Sequence, residues 1–340
     1  MYRHMLVPLD GSELATSLIS EAVEFARTLG AQITFFTMRE DFGATESGAL
    51  SRSLSPETYQ ELAAGDANAI VSKALAAAGA YKLQAEGVVR TGGKPYQLIL
   101  SVAEEKGCDL IYMASHGRRG LRGLFLGSQT QKVLAHTKIP VLVATVESNA
   151  GADFARSAVG RIQDEHRTIA VILSGLRNSA EQLRDGATAI DMALLQDMVS
   201  YMTLFPERLH HPKEEQYLFA HLRKKTAELD EVINLLEAEH RDGASLLQEV
   251  SDLLRKLDTD PVLSRQAVAQ SIERFVDSQW HHLNTEEKLI LPSAKQHLAE
   301  SEWQEIEMAF SVNGDLRRGS EDDLRFQELF VKLTNRSSLI

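Results

Sequence analysis

Two stretches of this chain set histidines and glutamates at the spacing of metal ligands. Residues 210–219 read HHPKEEQYLF, and further along 281–292 read HHLNTEEKLILP. His210 and Glu214, and again His282 and Glu286, stand four residues apart, which on a helix puts both side chains on one face. His211 and Glu215 share that spacing, but residue 285 is a threonine, so His281 lacks an equivalent partner. Aligning the two copies on the first glutamate matches His210 with His282 and Glu214 with Glu286. His166 in DEHRTI and His240 in EAEHRDG add one imidazole from each of two further segments. Such a set suits two cations: carboxylates bridge them and imidazoles cap the outer positions. Iron fits that mixture of nitrogen and oxygen, and zinc and manganese are also compatible with it. His211, His281 and Tyr217 form a second tier of donors. Tyr217 follows Glu214 by three residues, on nearly the same face. Glu215 and Glu287 read as solvated, and His221 and His297 as surface residues.

These residues need helices to hold them. Periodic segments over 153–185, 187–222, 225–256 and 263–294, with a short piece at 300–312, predict an all-α up-down four-helix bundle. LRDGATA and LDTDPVLS interrupt the period as turns do. Pro206 and Pro212 each remove an N–H, so the second helix is expected to kink beside its histidines unless it begins there.

The preceding half has a different grammar. Apolar runs at 4–9, 32–38, 83–89, 110–115 and 140–146 alternate with helical patterns at 13–29, 56–79, 95–106 and 127–137. Alternation of this kind predicts an α/β domain with an open parallel five-stranded sheet of the nucleotide-binding type. Ligands of such sheets sit at the carboxyl ends of the strands. Asp10 follows the first strand. The glycine-rich ASHGRRGLRGLFLGSQT follows the fourth and opens a helix at Gly127-Ser128, where free N–H groups favour an anion. No catalytic base or nucleophile stands out in this half. Cys108 reads as structural, and His116, Arg118, Arg119 and Arg122 as loop residues.

At 340 residues the chain is long enough for two domains. Provisional limits are 1–147 and 153–320, with a tail at 321–340. Eight of the eleven histidines fall after residue 148, so the metal chemistry belongs to the second half. That half also carries 22 Lys+Arg against 33 Asp+Glu, a net of −11, which disfavours nucleic acid as a partner. No run of eighteen apolar residues predicts a membrane helix, and the N-terminus lacks a signal-peptide pattern. A single cysteine fits a reducing compartment, so a cytoplasmic location is expected.

The motifs also carry resemblances. Residues 1–146 resemble a universal stress protein domain through VPLDGS, DLIYMASHGRRGL, LGSQTQKVL and IPVLVATV. Nucleotide-binding members carry Gly-x2-Gly-x9-Gly-Ser/Thr; here the register is Ala114-x2-Gly117-x9-Gly127-Ser128, with alanine at the first glycine. The resemblance implies binding of ATP or ADP. Pro8 and Asp10 are then among the nucleotide contacts, Asp10 facing the adenine–ribose end, and Gly117, Gly127, Ser128 and Gln129 hold phosphates. It also implies a homodimer through the last strand, around Val141–Thr145. Residues 155–320 resemble the hemerythrin-like HHE cation-binding family, with DEHRTI, HHPKEEQYLF, EAEHRDG, HHLNTEEKLILP and ESEWQEIEMAF in the expected order. This implies a non-haem di-iron centre ligated by His166, His210, Glu214, His240, His282 and Glu286. Oxygen-carrying members have a second histidine one turn after the third-helix ligand, where this chain has Ala244. The expectation is a stress-response protein whose di-iron domain senses or binds oxygen, nitric oxide, peroxide or iron. The alternatives are a di-iron peroxidase or catalase-like enzyme and an iron storage or repair protein.

Overall fold

The computed structural model describes residues 2–11, 13–39, 56–92, 94–115, 126–144, 154–186, 190–257, 265–311 and 330. Two compact units emerge, Met1–Ala152 with Ile340, and Asp153–Leu339.

In the first unit five strands form one sheet: β1 (His4–Leu9), β2 (Gln32–Arg39), β3 (Ala85–Thr91), β4 (Leu110–Ala114) and β5 (Val141–Ala144). Their order is β3-β2-β1-β4-β5, and every pairing is parallel. The helices α1 (Glu13–Leu29), α2 (Pro56–Ala80), α3 (Pro95–Glu105) and α4 (Ser128–His136) provide the crossovers. Side chains of a strand alternate between faces, and here both faces are apolar. Met5, Val7 and Leu9 of β1 join Ile33, Phe35, Leu110 and Tyr112 in a core beneath α1 and α2. Leu6, Phe36, Ile111 and Met113 face the other way, against Ile99 and Val102 of α3 and Val133 of α4. The apolar runs are therefore continuous because both faces are covered.

The strand order reverses between β1 and β4, and the crevice outside their carboxyl ends is the switch point where such sheets take ligands. β1 pairs with β4 through Met5 with Leu110 and Leu6 with Ile111. Pro8 lies beyond that register, so its missing N–H costs no bond on this side.

The second unit is helical. Its first bundle helix is Phe154–Arg184, its third Asp230–Lys256, and a final helix Glu300–Ser311 packs against the first. The second begins at Met192, where the Asp191 side chain accepts a hydrogen bond from the Leu194 N–H at 2.9 Å. It then runs to Lys225 through two π-helical turns, Pro206–His210 and Glu214–Phe219. The fourth covers 265–297, with a π-turn at Glu286–Ile290. The prolines therefore do not break the second helix. The wider turn moves the carbonyl that a proline ring meets in an α-helix, and the His211 N–H reaches back to the Pro206 carbonyl. All three π-turns fall on the stretches that carry the clustered histidines and glutamates, where π-turns recur at functional sites.

Candidate metal centre

The bundle buries an unusual quantity of ionisable side chain. Glu214 and His210 have no exposed surface, and His166, His211, His240, His282 and Glu286 are also buried. Their donor atoms form two groups, each within 4.8 Å: His166, His210, Glu214 and Glu286 in one, and His211, Glu214, His240 and His282 in the other. Glu214 belongs to both.

The carboxylates divide their oxygens between the groups. Glu214 Oε1 lies 3.2 Å from His210 Nε2 and 3.4 Å from His166 Nε2, while its Oε2 faces His240 Nε2 at 3.9 Å. Glu286 Oε2 lies 3.4 Å from His166 Nε2, and its Oε1 3.2 Å from His282 Nε2. His240 and His282 approach each other Nε2 to Nε2 at 3.0 Å. Two lone pairs aimed at one point are repulsive unless a proton or a cation stands between them.

The donor set fits a pair of cations. Among the described residues, His210 Nε2, His211 Nδ1, Glu214 Oε2 and both oxygens of Glu286 are buried without a hydrogen-bond partner. Leaving a charged group so costs several kcal/mol, which coordination offsets. Five imidazoles with two carboxylates suit iron, zinc or manganese.

As protein groups alone, the cluster neutralises itself with protons. Burial opposes charge on His166, His210 and His282, but the carboxylates outweigh it. His166 is held well above its ordinary value by Glu214 and Glu287. His210 is raised to about 9, against burial, by Glu214 and Glu165, and His282 to about 10 by Glu286 and Glu239. Burial pushes Glu214 up, yet His210 and His166 hold it well below the usual carboxylate range. His211 behaves oppositely: burial, then His240 and His210, push it well below its ordinary value.

The sequence reading placed His211 in the second tier, and the structure places it in a four-donor group. Consecutive His210 and His211 both turn inward, one to each group, with Glu214 a turn later between them. His281 is 68% exposed and lies outside both groups. Tyr217 is half-buried against the apolar cluster containing Ile162, Leu218 and Trp303. Glu215 is exposed, as expected, and Glu287 is partly buried; each nevertheless reaches a histidine of the cluster. Glu287 Oε1 lies 2.8 Å from His166 Nδ1, and Glu215 Oε1 2.7 Å from His240 Nδ1. Glu165 holds His210 Nδ1 at 2.7 Å and Glu239 holds His282 Nδ1 at 3.0 Å; neither was singled out in the sequence. A carboxylate only accepts, so each Nδ1 carries the hydrogen and the inward Nε2 is left to ligate. His221, expected at the surface, is buried, with Nε2 3.1 Å from Glu305.

In the first unit, Asp10 is half-buried just past β1, and Pro8 is half-buried within it. Gly127 caps α4 and donates its N–H to the Ser115 carbonyl at 2.7 Å. Thr130 Oγ1 contacts the carbonyls of Ala114 at 3.0 Å and Ser115 at 3.3 Å, fastening α4 to the end of β4. Ser128 begins α4 with its backbone N–H in the helix's first turn. Gln129 Oε1 accepts from the Tyr96 N–H at 3.3 Å, so its side chain serves the first turn of α3. Gly117 lies outside the described residues.

Residues 1–145 match the Universal stress protein family, and residues 157–294 match the Hemerythrin HHE cation binding domain. The chain is a fusion of these two domains. Universal stress protein YxiE of Bacillus subtilis (strain 168) is 29% identical over 147 residues, covering 42% of this chain and 99% of the relative. Universal stress protein MJ0531 of Methanocaldococcus jannaschii is 26% identical over 145 residues, covering 42% of this chain and 82% of the relative. Among solved structures, universal stress protein UspA from Lactobacillus plantarum is 27% identical, with 42% of this chain and 97% of that chain covered and a TM-score of 0.35. The universal stress protein from Archaeoglobus fulgidus in complex with dAMP is 19% identical, with coverage of 42% and 97% and a TM-score of 0.30. Among the described residues no helix is long and apolar enough to cross a membrane.

Proposed function

We propose that the bundle, residues 153–320, holds a non-haem di-iron centre. In this reading the chain is a stress-response protein that senses or binds oxygen, nitric oxide, peroxide or iron. The front domain, residues 1–147, binds ATP or ADP and dimerises. The observation that carries the reading is the sharing of Glu214 by two four-donor groups. Iron supplies a change of oxidation state and a coordination position for a small molecule. The protein's own part is to hold the donors and keep the site dry. Phe205 and Phe310 lie 6.4 and 6.1 Å from the His210 ring, and Phe219 lies 6.1 Å from that of His240. An aromatic wall of this kind favours small, weakly polar ligands over bulky charged ones.

Nucleotide binding is supported by the switch point between β1 and β4, flanked by Asp10 and by the first turn of α4 at Gly127-Ser128. Dimerisation is supported by β5, an edge strand with Leu142 40% exposed.

Anaerobic reconstitution with Fe(II), followed by iron analysis and an absorption spectrum, tests the centre. A near-ultraviolet charge-transfer band marks an oxo-bridged pair, and a visible band marks ligation by Tyr217. Failure to take up iron sinks the reading. Oxygen release from peroxide at a rate abolished by Glu214→Ala shifts the function to a catalase-like enzyme; equal rates remove that alternative. Coupling of the domains requires that iron loading change ATP affinity or assembly.

A further inference from the structure

We infer that Glu165, Glu215, Glu239 and Glu287 form a closed ring of positioning carboxylates, each fixing a histidine on the next helix of the bundle. The inference rests on the metal-centre reading above. Each of the four glutamates stands beside a proposed ligand in the sequence, yet each bonds the histidine of a different helix. Glu165 of the first helix holds His210 of the second. Glu215 of the second holds His240 of the third. Glu239 of the third holds His282 of the fourth, and Glu287 of the fourth returns to His166 of the first. Every helix gives one carboxylate and receives one.

Helical geometry explains the pattern. A residue next to an inward-facing ligand is rotated about 100° around the helix, so it points at a neighbouring helix rather than the bundle axis. Glu165 and Glu239 precede their ligands His166 and His240, whereas Glu215 and Glu287 follow Glu214 and Glu286. In an up-down bundle, alternate helices run in opposite directions. Reversing the offset on every second helix therefore keeps the sense of rotation the same all the way round. The result is a circuit in which all four Nδ1 atoms are tied outward and all four Nε2 atoms face the centre. His211 stands outside the ring, its Nδ1 3.7 Å from Glu207.

The ring sets metal affinity by holding each imidazole in one tautomer and one rotation. Outer-sphere partners of this kind are worth about 10–100-fold in metal affinity. The test compares wild type with Glu165→Gln, Glu215→Gln, Glu239→Gln and Glu287→Gln. Co(II) affinity is read from visible absorption, and imidazole Nδ1–H resonances from the Zn(II)-loaded full chain. Each variant is expected to bind Co(II) about 10–100-fold more weakly. The smallest loss is expected at Glu215, whose side chain is 42% exposed. In Glu165→Gln the resonance that moves belongs to His210 and not to its sequence neighbour His166. Should the more buried variants fail to fold, Glu215→Gln with the His240 resonance decides alone. Wild-type affinity in the variants, or a shift at the sequence neighbour, overturns the ring while leaving the centre standing. A wild type that binds neither Co(II) nor Zn(II) overturns the centre and the ring with it.

Discussion

His211 stacks on His240, with ring centroids 3.9 Å apart and planes 11° from parallel. The two rings come from different helices, and the contact fixes His211 inside the cluster although, among the described residues, no carboxylate within hydrogen-bond reach orients it. Its depressed proton affinity leaves it neutral near pH 7, with a lone pair ready for a cation. His211→Ala is expected to weaken one of the two metal positions by roughly tenfold or more, at least the effect of losing an outer-sphere partner. His281→Ala, at an exposed residue outside both groups, leaves titrations with Fe(II) or Co(II) unchanged.

Glu214 is shared where His166 is not. Glu214→Ala is therefore expected to lose both cations, because each group loses a donor and the bridge between them disappears. His166→Ala removes a donor from one group and leaves the His211–His240–His282 side intact. Elemental analysis of metal per chain separates the two variants. Equal losses in both contradict the bridging role.

Much of this was legible in the sequence, and what was missed has a physical cause. The five strands could be located because burial on both faces makes each a continuous apolar run between breakers. The four bundle helices could be located because the helical period persists between turns. The period cannot show a π-turn, since one widened turn leaves the apolar spacing around it almost unaltered. Pro206 therefore read as a kink. His211 satisfies the four-residue spacing with Glu215 as well as His210 does with Glu214, and only the alignment of the two copies set it aside. The outer glutamates were missed for another reason. Glu165 next to His166 suggests a local pair, yet its partner is His210, 45 positions away in the chain. Only the packing of one helix on the next reveals that connection. Gln129 illustrates the same limit in the front domain: a resemblance assigns it to phosphate, and the fold ties its side chain to α3.

Thr130 is buried and its hydroxyl spans the carbonyls that end β4. Thr130→Val keeps the shape and removes this donor from the Ala114 carbonyl, while the Ser115 carbonyl keeps the Gly127 N–H, at a cost of about 1–3 kcal/mol. The front domain should melt earlier, and ATP affinity should fall because α4 loses its fastening to the strand. Differential scanning calorimetry with a nucleotide titration reads both effects. Unchanged melting would show that the hydroxyl is not a latch.

The β5 edge carries Leu142 outward with 40% exposure while its other side pairs with β4. An unpaired edge with an apolar side chain invites a second strand, and a lysine there blocks it. Leu142→Lys is expected to shift the full chain from dimer to monomer in sedimentation equilibrium, leaving the melting of the bundle unaltered. A wild type that is already monomeric at the same concentration refutes the edge as an interface.

Cys108 is buried just before β4, and its thiol is pushed up to about 11. Burial is the main cause, and the carboxylates of Glu86 and Asp109 act in the same direction against a hydrogen bond with Thr34. The native state therefore favours the neutral thiol more than the unfolded chain does. A raised value means that the contribution to stability is complete below the ordinary thiol value of 9.0 and is lost as pH rises through about 11. Denaturant midpoints of the front domain should fall between those limits, and Cys108→Ala should flatten that part of the profile. Alkylation by iodoacetamide at pH 8 should be slow in the native chain and fast after unfolding, because only the thiolate reacts. Rapid native alkylation contradicts the burial on which the argument rests.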